Sequence, residues 1–177
     1  MAETDKRNQN TVQNIGQEFR DDAGIAEVLR RYQRVAVIGA STDTNKPAHY
    51  VPQYIAEQGY EVFGVTPRAK GEMMFGRKAV GELLELQNQN IDIVNVFRRS
   101  DKVGVHLDEM LELAPKLVWL QLGIRNDDVA KALLDAGIDV IQDRCMLADH
   151  RRLIASWWRW RVVDDVGVMG YFGDAGI

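Results

Sequence analysis

Val35-Ala-Val-Ile38 is an unbroken apolar run that stops at Gly39, and four further apolar-rich, strand-like segments follow over 61–66, 91–96, 117–122 and 138–141. A strand with one wet face alternates polar and apolar residues. A continuous run is what a strand covered on both faces requires. Between the runs the period lengthens to that of helices: Val51, Tyr54 and Ile55 between Pro47 and Gly59; Val80, Leu83, Leu84 and Leu86; Val103 to Leu113 before Pro115; Leu133 and Leu134 before Gly137. Ser100 or Asp101 suits the cap of the third of these helices and Asn126 or Asp127 that of the fourth, while 72–76 reads as loop. Buried strands alternating with helices predict an α/β fold: a doubly wound parallel sheet of about five strands, of Rossmann type. An extra N-terminal helix is expected over 12–32, with Gly24 as a weak point or break, and a C-terminal helix over about 146–158. The expected organisation is a flexible 1–11, one domain over 12–160 and a tail over 161–177.

Composition narrows the function classes. Acidic residues outnumber basic ones by 26 to 22, a net charge of −4, which argues against a non-specific nucleic-acid binder. The single cysteine allows neither an internal disulfide nor a Cys-based zinc site. The apolar runs are too short to cross a bilayer, and Met1-Ala-Glu-Thr-Asp-Lys-Arg7 has no apolar stretch of a secretory signal. A cytoplasmic domain is expected.

In a doubly wound sheet the loop after the first strand lies where the strand order reverses, and ligands bind there. It reads Gly39-Ala40-Ser41-Thr42, then Lys46-Pro47 at the start of the next helix. Gly39 permits a tight exit, the hydroxyls offer hydrogen bonds, and the free N–H groups of a helix start face an anion well. The reading is a phosphate or diphosphate cradle; the plain alternative is a strand-to-helix connection in which Ser or Asn caps the helix. Arg68 and Lys70 follow the second strand, and Arg98 and Arg99 the third, with Phe97 beside them. Guanidinium forks and ammonium charges at neighbouring strand ends suit a phosphate-rich ligand. The loop holds one glycine where a dinucleotide fingerprint needs three, and Thr66-Pro67-Arg68 stands where an NAD site places a carboxylate. An NADP-dependent oxidoreductase therefore stays as an alternative, weakened by the lack of a Tyr-xxx-Lys pair in a suitable place.

Five segments in order carry a resemblance: Val35-Ala-Val-Ile-Gly-Ala-Ser41, Gly64-Val-Thr-Pro67, Asn95-Val-Phe-Arg-Arg99, Trp119-Leu-Gln-Leu-Gly-Ile124 and Asp143-Arg-Cys145. Over about 25–153 the chain resembles the small stand-alone CoA-binding proteins, Rossmann domains related to the CoA-binding domain of the succinyl-CoA synthetase alpha subunit. The resemblance implies a site for coenzyme A or an acyl-CoA. Gly39, Ala40, Ser41 and Thr42 would hold the diphosphate, with Lys46-Pro47 at the helix start. Thr66, Pro67, Arg68 and, less closely matched, Lys70 would lie near the adenosine and its phosphate, and Val96, Phe97 and Arg98 would follow strand three. The synthetase's second domain, with its phosphorylated histidine, has no counterpart after residue 153, so ligase activity is not carried over. The expectation is a binding module without catalysis of its own.

Other reactive residues read as less central. His49, on the first turn after the loop, either contacts the ligand or simply occupies a half-exposed helix position. His106 reads as solvated beside Asp108 and Glu109, and His150 as surface or interface. Cys145 either packs inertly or, beside Arg144 and a helix start, forms a mixed disulfide with the thiol of CoA. Asp92 and Asp143 read as structural caps. Ser156-Trp-Trp-Arg-Trp160 points to a homodimer through the C-terminal helix or to packing on the same subunit. An interaction protein built on that segment is a further alternative. The expected partner is a small molecule, with no nucleic acid and no membrane.

Overall fold

The computed structural model describes residues 15–155. The expected frayed N-terminus, the Trp-rich segment and the tail lie outside the described residues. Five parallel strands form one sheet: β1 (Arg34–Ile38), β2 (Glu61–Val65), β5 (Ile93–Val96), β6 (Leu117–Leu120) and β7 (Asp139–Ile141), in the order β2-β1-β5-β6-β7. The order reverses between β1 and β5, and ligand sites of doubly wound sheets open there. Register is set by strands buried on both faces: Val37 lies between Gly64 of β2 and Asn95 of β5, and Ile38 between Val65 and Val96.

Each face of the sheet carries its own apolar layer. On one face Val35, Val37, Ile93 and Trp119 pack with Ile25 and Leu29 of α1 (Asp22–Arg31), Val51 and Ile55 of α2 (Pro47–Glu57) and Met146 of the short α5 (Met146–His150). On the other, Ala36, Ile38, Val94, Val96, Val118 and Leu120 meet Leu83 and Leu86 of a 3₁₀ turn over Leu83–Gln89. Met110 of α3 (Leu107–Leu113) and Val129 and Leu133 of α4 (Asp127–Asp135) complete that layer. Trp119 is fully buried, so its indole N–H needs a partner, and it donates to the Arg144 carbonyl at 2.8 Å.

Several local expectations are corrected. Within the 12–32 stretch, the described residues 15–32 do not form one helix. Residues 15–20 lie along the outer edge of β7: the Phe19 amide donates to the Val140 carbonyl at 2.9 Å, and the Val140 amide donates to the Gln17 carbonyl at 2.9 Å. The open edge of β7 offers backbone partners that a helix there would forgo. The helix begins only where the Asp21 carboxylate accepts from the Gly24 amide at 2.8 Å, so Gly24 sits in its first turn rather than at a break. The 72–76 loop contains a small antiparallel ladder, β3 (Met73–Met74) with β4 (Arg77–Lys78). Neither Ser100 nor Asp101 caps a helix: the chain enters a 3₁₀ turn over Ser100–His106 with Arg99 at the cap position and no side-chain bond. Asn126 caps α4, its Oδ1 accepting from the Val129 amide at 3.0 Å. Among the described residues no helix is long and apolar enough to cross a membrane, and no cluster of ligating side chains could hold a metal.

Candidate functional site

The carboxyl ends of β1, β2, β5 and β6 share one edge of the sheet, and a groove in two parts runs over it. The first part, about 660 Å³, is lined by Gly39, Ala40, Ser41, Thr42, Lys46, Thr66, Pro67, Arg68, Phe97 and Arg98, with acidic side chains from Asp43 and Glu72. The second, about 490 Å³, is lined by Pro47, Tyr50, Val51, Arg99, Gln121, Leu122, Gly123, Ile124 and Cys145. Both parts include Lys46, Ala48, Phe97 and Arg98, which makes them neighbours in one groove. The first part is polar, and the second is walled largely by apolar side chains.

Gly39 makes the close approach of β1 and β5 possible. Its φ is 83°, its amide donates to the Val65 carbonyl at 3.0 Å, and a Cβ there would lie 2.5 Å from the Phe97 carbonyl and 3.3 Å from the Arg98 guanidinium. The loop beyond it is held by its own polar atoms. The Ser41 amide donates to the Ala48 carbonyl at 3.1 Å, and Ser41 Oγ accepts from the Asp43 amide at 3.1 Å. His49 Nδ1 lies 2.7 Å from the Ser41 carbonyl, and its ring packs 5.6 Å from that of Phe75. His49 thus braces the loop and lines neither part of the groove. No side chain caps α2 at Lys46, which is the opposite of the self-capping connection weighed from the sequence.

Charge is distributed unevenly among the basic residues. Arg68 and Arg98, both in the polar part of the groove, have no ion pair and no hydrogen bond among the described residues. Arg99 is held by Asp101 at 3.0 and 2.8 Å, and Lys46 Nζ lies 3.7 Å from Asp43. Lys70 Nζ lies 2.8 Å from Glu85, whose carboxylate accepts from it and raises the ammonium pKa above its ordinary value.

The apolar part is fixed from below. Asp143, at φ 55°, accepts from the Gly123 amide at 2.6 Å and donates its own amide to the Ile124 carbonyl at 3.1 Å, joining the loops after β6 and β7. Arg144 makes a two-bonded pair with the buried Asp149 at 2.9 and 2.8 Å, and Cys145 follows it at the start of α5, partly buried and packed against the apolar layer on that face of the sheet. Gln121 is 4% exposed and its Nε2 has no hydrogen-bond partner among the described residues. A buried amide left in that state costs about 1–3 kcal/mol.

The model of the CoA binding domain family matches residues 33–151, across all five strands and the whole groove. The chain belongs to the CoA binding domain family. Family membership supports a CoA-binding role. The uncharacterized protein YneT of Bacillus subtilis (strain 168) is 37% identical over 128 residues, 72% of this chain and 93% of that protein. The Thermus thermophilus structure of cell-free ID.343 shares 47% identity, with a TM-score of 0.73, over 76% of this chain and all of that one. A hypothetical protein from Pyrococcus horikoshii OT3 shares 29%, with a TM-score of 0.70, over 76% of this chain and 93% of that one.

Against this family's site as read from the sequence, the structure brings together Gly39, Ala40, Ser41, Thr42, Lys46, Pro47, Thr66, Pro67, Arg68, Phe97, Arg98 and Arg99 in the groove. Val96 and Lys70 stand apart from it: Val96 is fully buried in the sheet, and Lys70 is engaged by Glu85. Sequence reasoning assigned no role to Gln121, Leu122, Ile124, Tyr50 or Val51. The signal available was the position of Gln121 and Leu122 just past β6, on the same edge of the sheet as the groove. His106 and His150 differ from expectation. His106 is half-buried, 3.7 Å from Glu109, and His150 is buried with its Nδ1 3.1 Å from the Tyr54 hydroxyl; burial holds both imidazole pKa values below the ordinary 6.5. Neither lines the groove.

Proposed function

We propose that this chain binds coenzyme A or an acyl-CoA along the groove. The loop Gly39–Thr42 and the uncapped start of α2 would hold the diphosphate, and Arg68 and Arg98 the phosphates nearest them. The second part of the groove, walled by Val51, Leu122 and Ile124, would take the pantetheine arm. The observation that carries this reading is the two unpartnered guanidinium groups, Arg68 in the polar part of the groove and Arg98 where it meets the largely apolar part. Such a division fits a ligand with a polyanionic head and a long, weakly polar arm. Bound CoA would supply a thiol able to carry acyl groups as thioesters. The orphaned Gln121 amide fits an amide carbonyl on such an arm, and the space that glycine keeps at position 39 fits a close backbone approach to phosphate.

Titration calorimetry tests this. CoA is expected to bind more tightly than dephospho-CoA, ADP or NADP, and NADH not measurably. An Arg68→Ala, Arg98→Ala double variant removes two charge-assisted contacts of about 1.5–3 kcal/mol each, partly screened by solvent, and loses roughly a hundredfold in affinity. Unchanged affinity in the double variant would remove the site assignment, and tighter binding of NADP would replace the ligand.

A further inference from the structure

A pinned turn holds a leucine out in solvent at the rim of the apolar part of the groove. The Ile124 amide donates to the Gln121 carbonyl at 2.8 Å, closing a four-residue turn with Gly123 at φ 77° in its third position. Asp143 ties Gly123 and Ile124 to the loop after β7, and the Arg125 amide donates to Ser100 Oγ at 3.1 Å. Leu122, second in this turn, is nevertheless 68% exposed. Tyr50 of α2 lines the same part of the groove and is 46% exposed, whereas Val51 beside it is fully buried. Exposed apolar side chains scattered singly need no explanation. These two stand together on one largely apolar cavity of about 490 Å³, a size within the range of small-molecule sites.

The neighbours of this rim say what covers it. Lys46, Ala48, Phe97 and Arg98 belong to both parts of the groove, so the rim continues directly from the polar part. From Arg68, after β2, to the turn after β6 there are three inter-strand steps of about 4.8 Å, on the order of 14 Å in all. CoA carries its thiol at the end of the arm remote from its phosphates, so a ligand anchored at Arg68 presents to this turn whatever its sulfur bears. Gln121, the first residue of the turn, is 4% exposed, and its Nε2 has no partner among the described residues. A buried donor of that kind is satisfied by a carbonyl on the arm, which directs the arm toward the turn. Arg99 lines the apolar part but not the polar one, and Asp101 already holds it with two hydrogen bonds. The turn therefore offers an apolar chain two exposed apolar side chains and offers a carboxylate no cation that is both free and its own.

We propose that the ligand is an acyl-CoA with an apolar chain of short to medium length, which Leu122 and Tyr50 select by covering the chain beyond the thioester; this rests on the CoA reading above. Titration calorimetry with CoA and with acetyl-, butyryl-, hexanoyl- and octanoyl-CoA reads the chain directly. Each methylene buried against the rim is expected to tighten binding by up to about fourfold, until the chain outgrows the groove and the gain stops. Succinyl-CoA, which matches butyryl-CoA in chain length but ends in a carboxylate, is expected to bind more weakly than butyryl-CoA. Leu122→Ser and Tyr50→Ser each alter an exposed position and are expected to lower the ratio of hexanoyl-CoA to CoA affinity by about threefold or more. The Arg68→Ala, Arg98→Ala double variant is expected to weaken both ligands together and keep that ratio. In a protein that binds CoA, three results would each overturn the acyl-chain selection alone: affinity independent of chain length, a ratio unmoved in both serine variants, or tighter binding of succinyl-CoA than of butyryl-CoA. Binding of neither CoA nor any acyl-CoA would overturn the ligand reading and the selection together.

Discussion

Gly39→Ala isolates the feature on which the groove's geometry depends. Two costs are separable. A residue with a Cβ held at φ 83° is strained by about 1–2 kcal/mol. The new methyl would also stand 2.5 Å from the Phe97 carbonyl oxygen, a backbone atom that moves only if the end of β5 moves. Overpacking of this kind typically adds about 1–3 kcal/mol. Gly59, just past α2, supplies the control: its φ is 95°, and nothing lies within 4 Å of a Cβ built there. Gly59→Ala therefore carries the strain without the clash. Urea unfolding is expected to show both variants destabilised, with Gly39→Ala worse by about 1–3 kcal/mol. Because the displaced atoms lead into Arg98, Gly39→Ala should also weaken CoA binding by about tenfold, near 1.4 kcal/mol, while Gly59→Ala leaves it unchanged. Equal destabilisation of the two variants, with equal CoA affinity, would refute the claim that glycine is required at position 39 by the approach of β5.

Lys70→Ala should change CoA affinity by less than about twofold, since Glu85 already engages its ammonium; a loss comparable to that of Arg98→Ala in parallel calorimetry would return Lys70 to the site. Stability should depend on pH through His150 and His106. Burial holds both folded-state pKa values below 6.5, so the unfolded chain takes up protons first; stability is full above pH 6.5 and falls as the pH drops from there toward the folded values. Thermal melts between about pH 5 and 7.5 should show this fall and a shallower one in His150→Gln, and identical profiles would exclude His150 as a contributor.

Much of this protein was legible in its residues because the signals were local. Five short, apolar-rich segments alternating with helix-period stretches imply a parallel sheet with helices on each side. The same logic put Gly39, Arg68 and Arg98 on the edge of the sheet that carries the groove, since position after a strand is a property of order along the chain. The N-terminal stretch misled for a physical reason: spacing at Ile15 and Phe19 suits a helix, but the unpaired edge of β7 is remote in sequence and wins the backbone hydrogen bonds.

What only the tertiary structure decided are the pairings between distant residues. Lys70 and Arg68 look alike two positions apart, yet Glu85 neutralises one and nothing among the described residues pairs with the other. His150 reads as a surface residue beside two arginines until Tyr54 and Tyr60 close over it. Gln121 and Cys145 become parts of one groove because β6 and β7 end side by side. The sequence determined the fold and which residues stand at the sheet edge that carries the groove, through periodicity and strand order. Which charges stay free there, and which sulfur the groove reaches, depends on contacts across dozens of residues, and those exist only once the sheet has assembled.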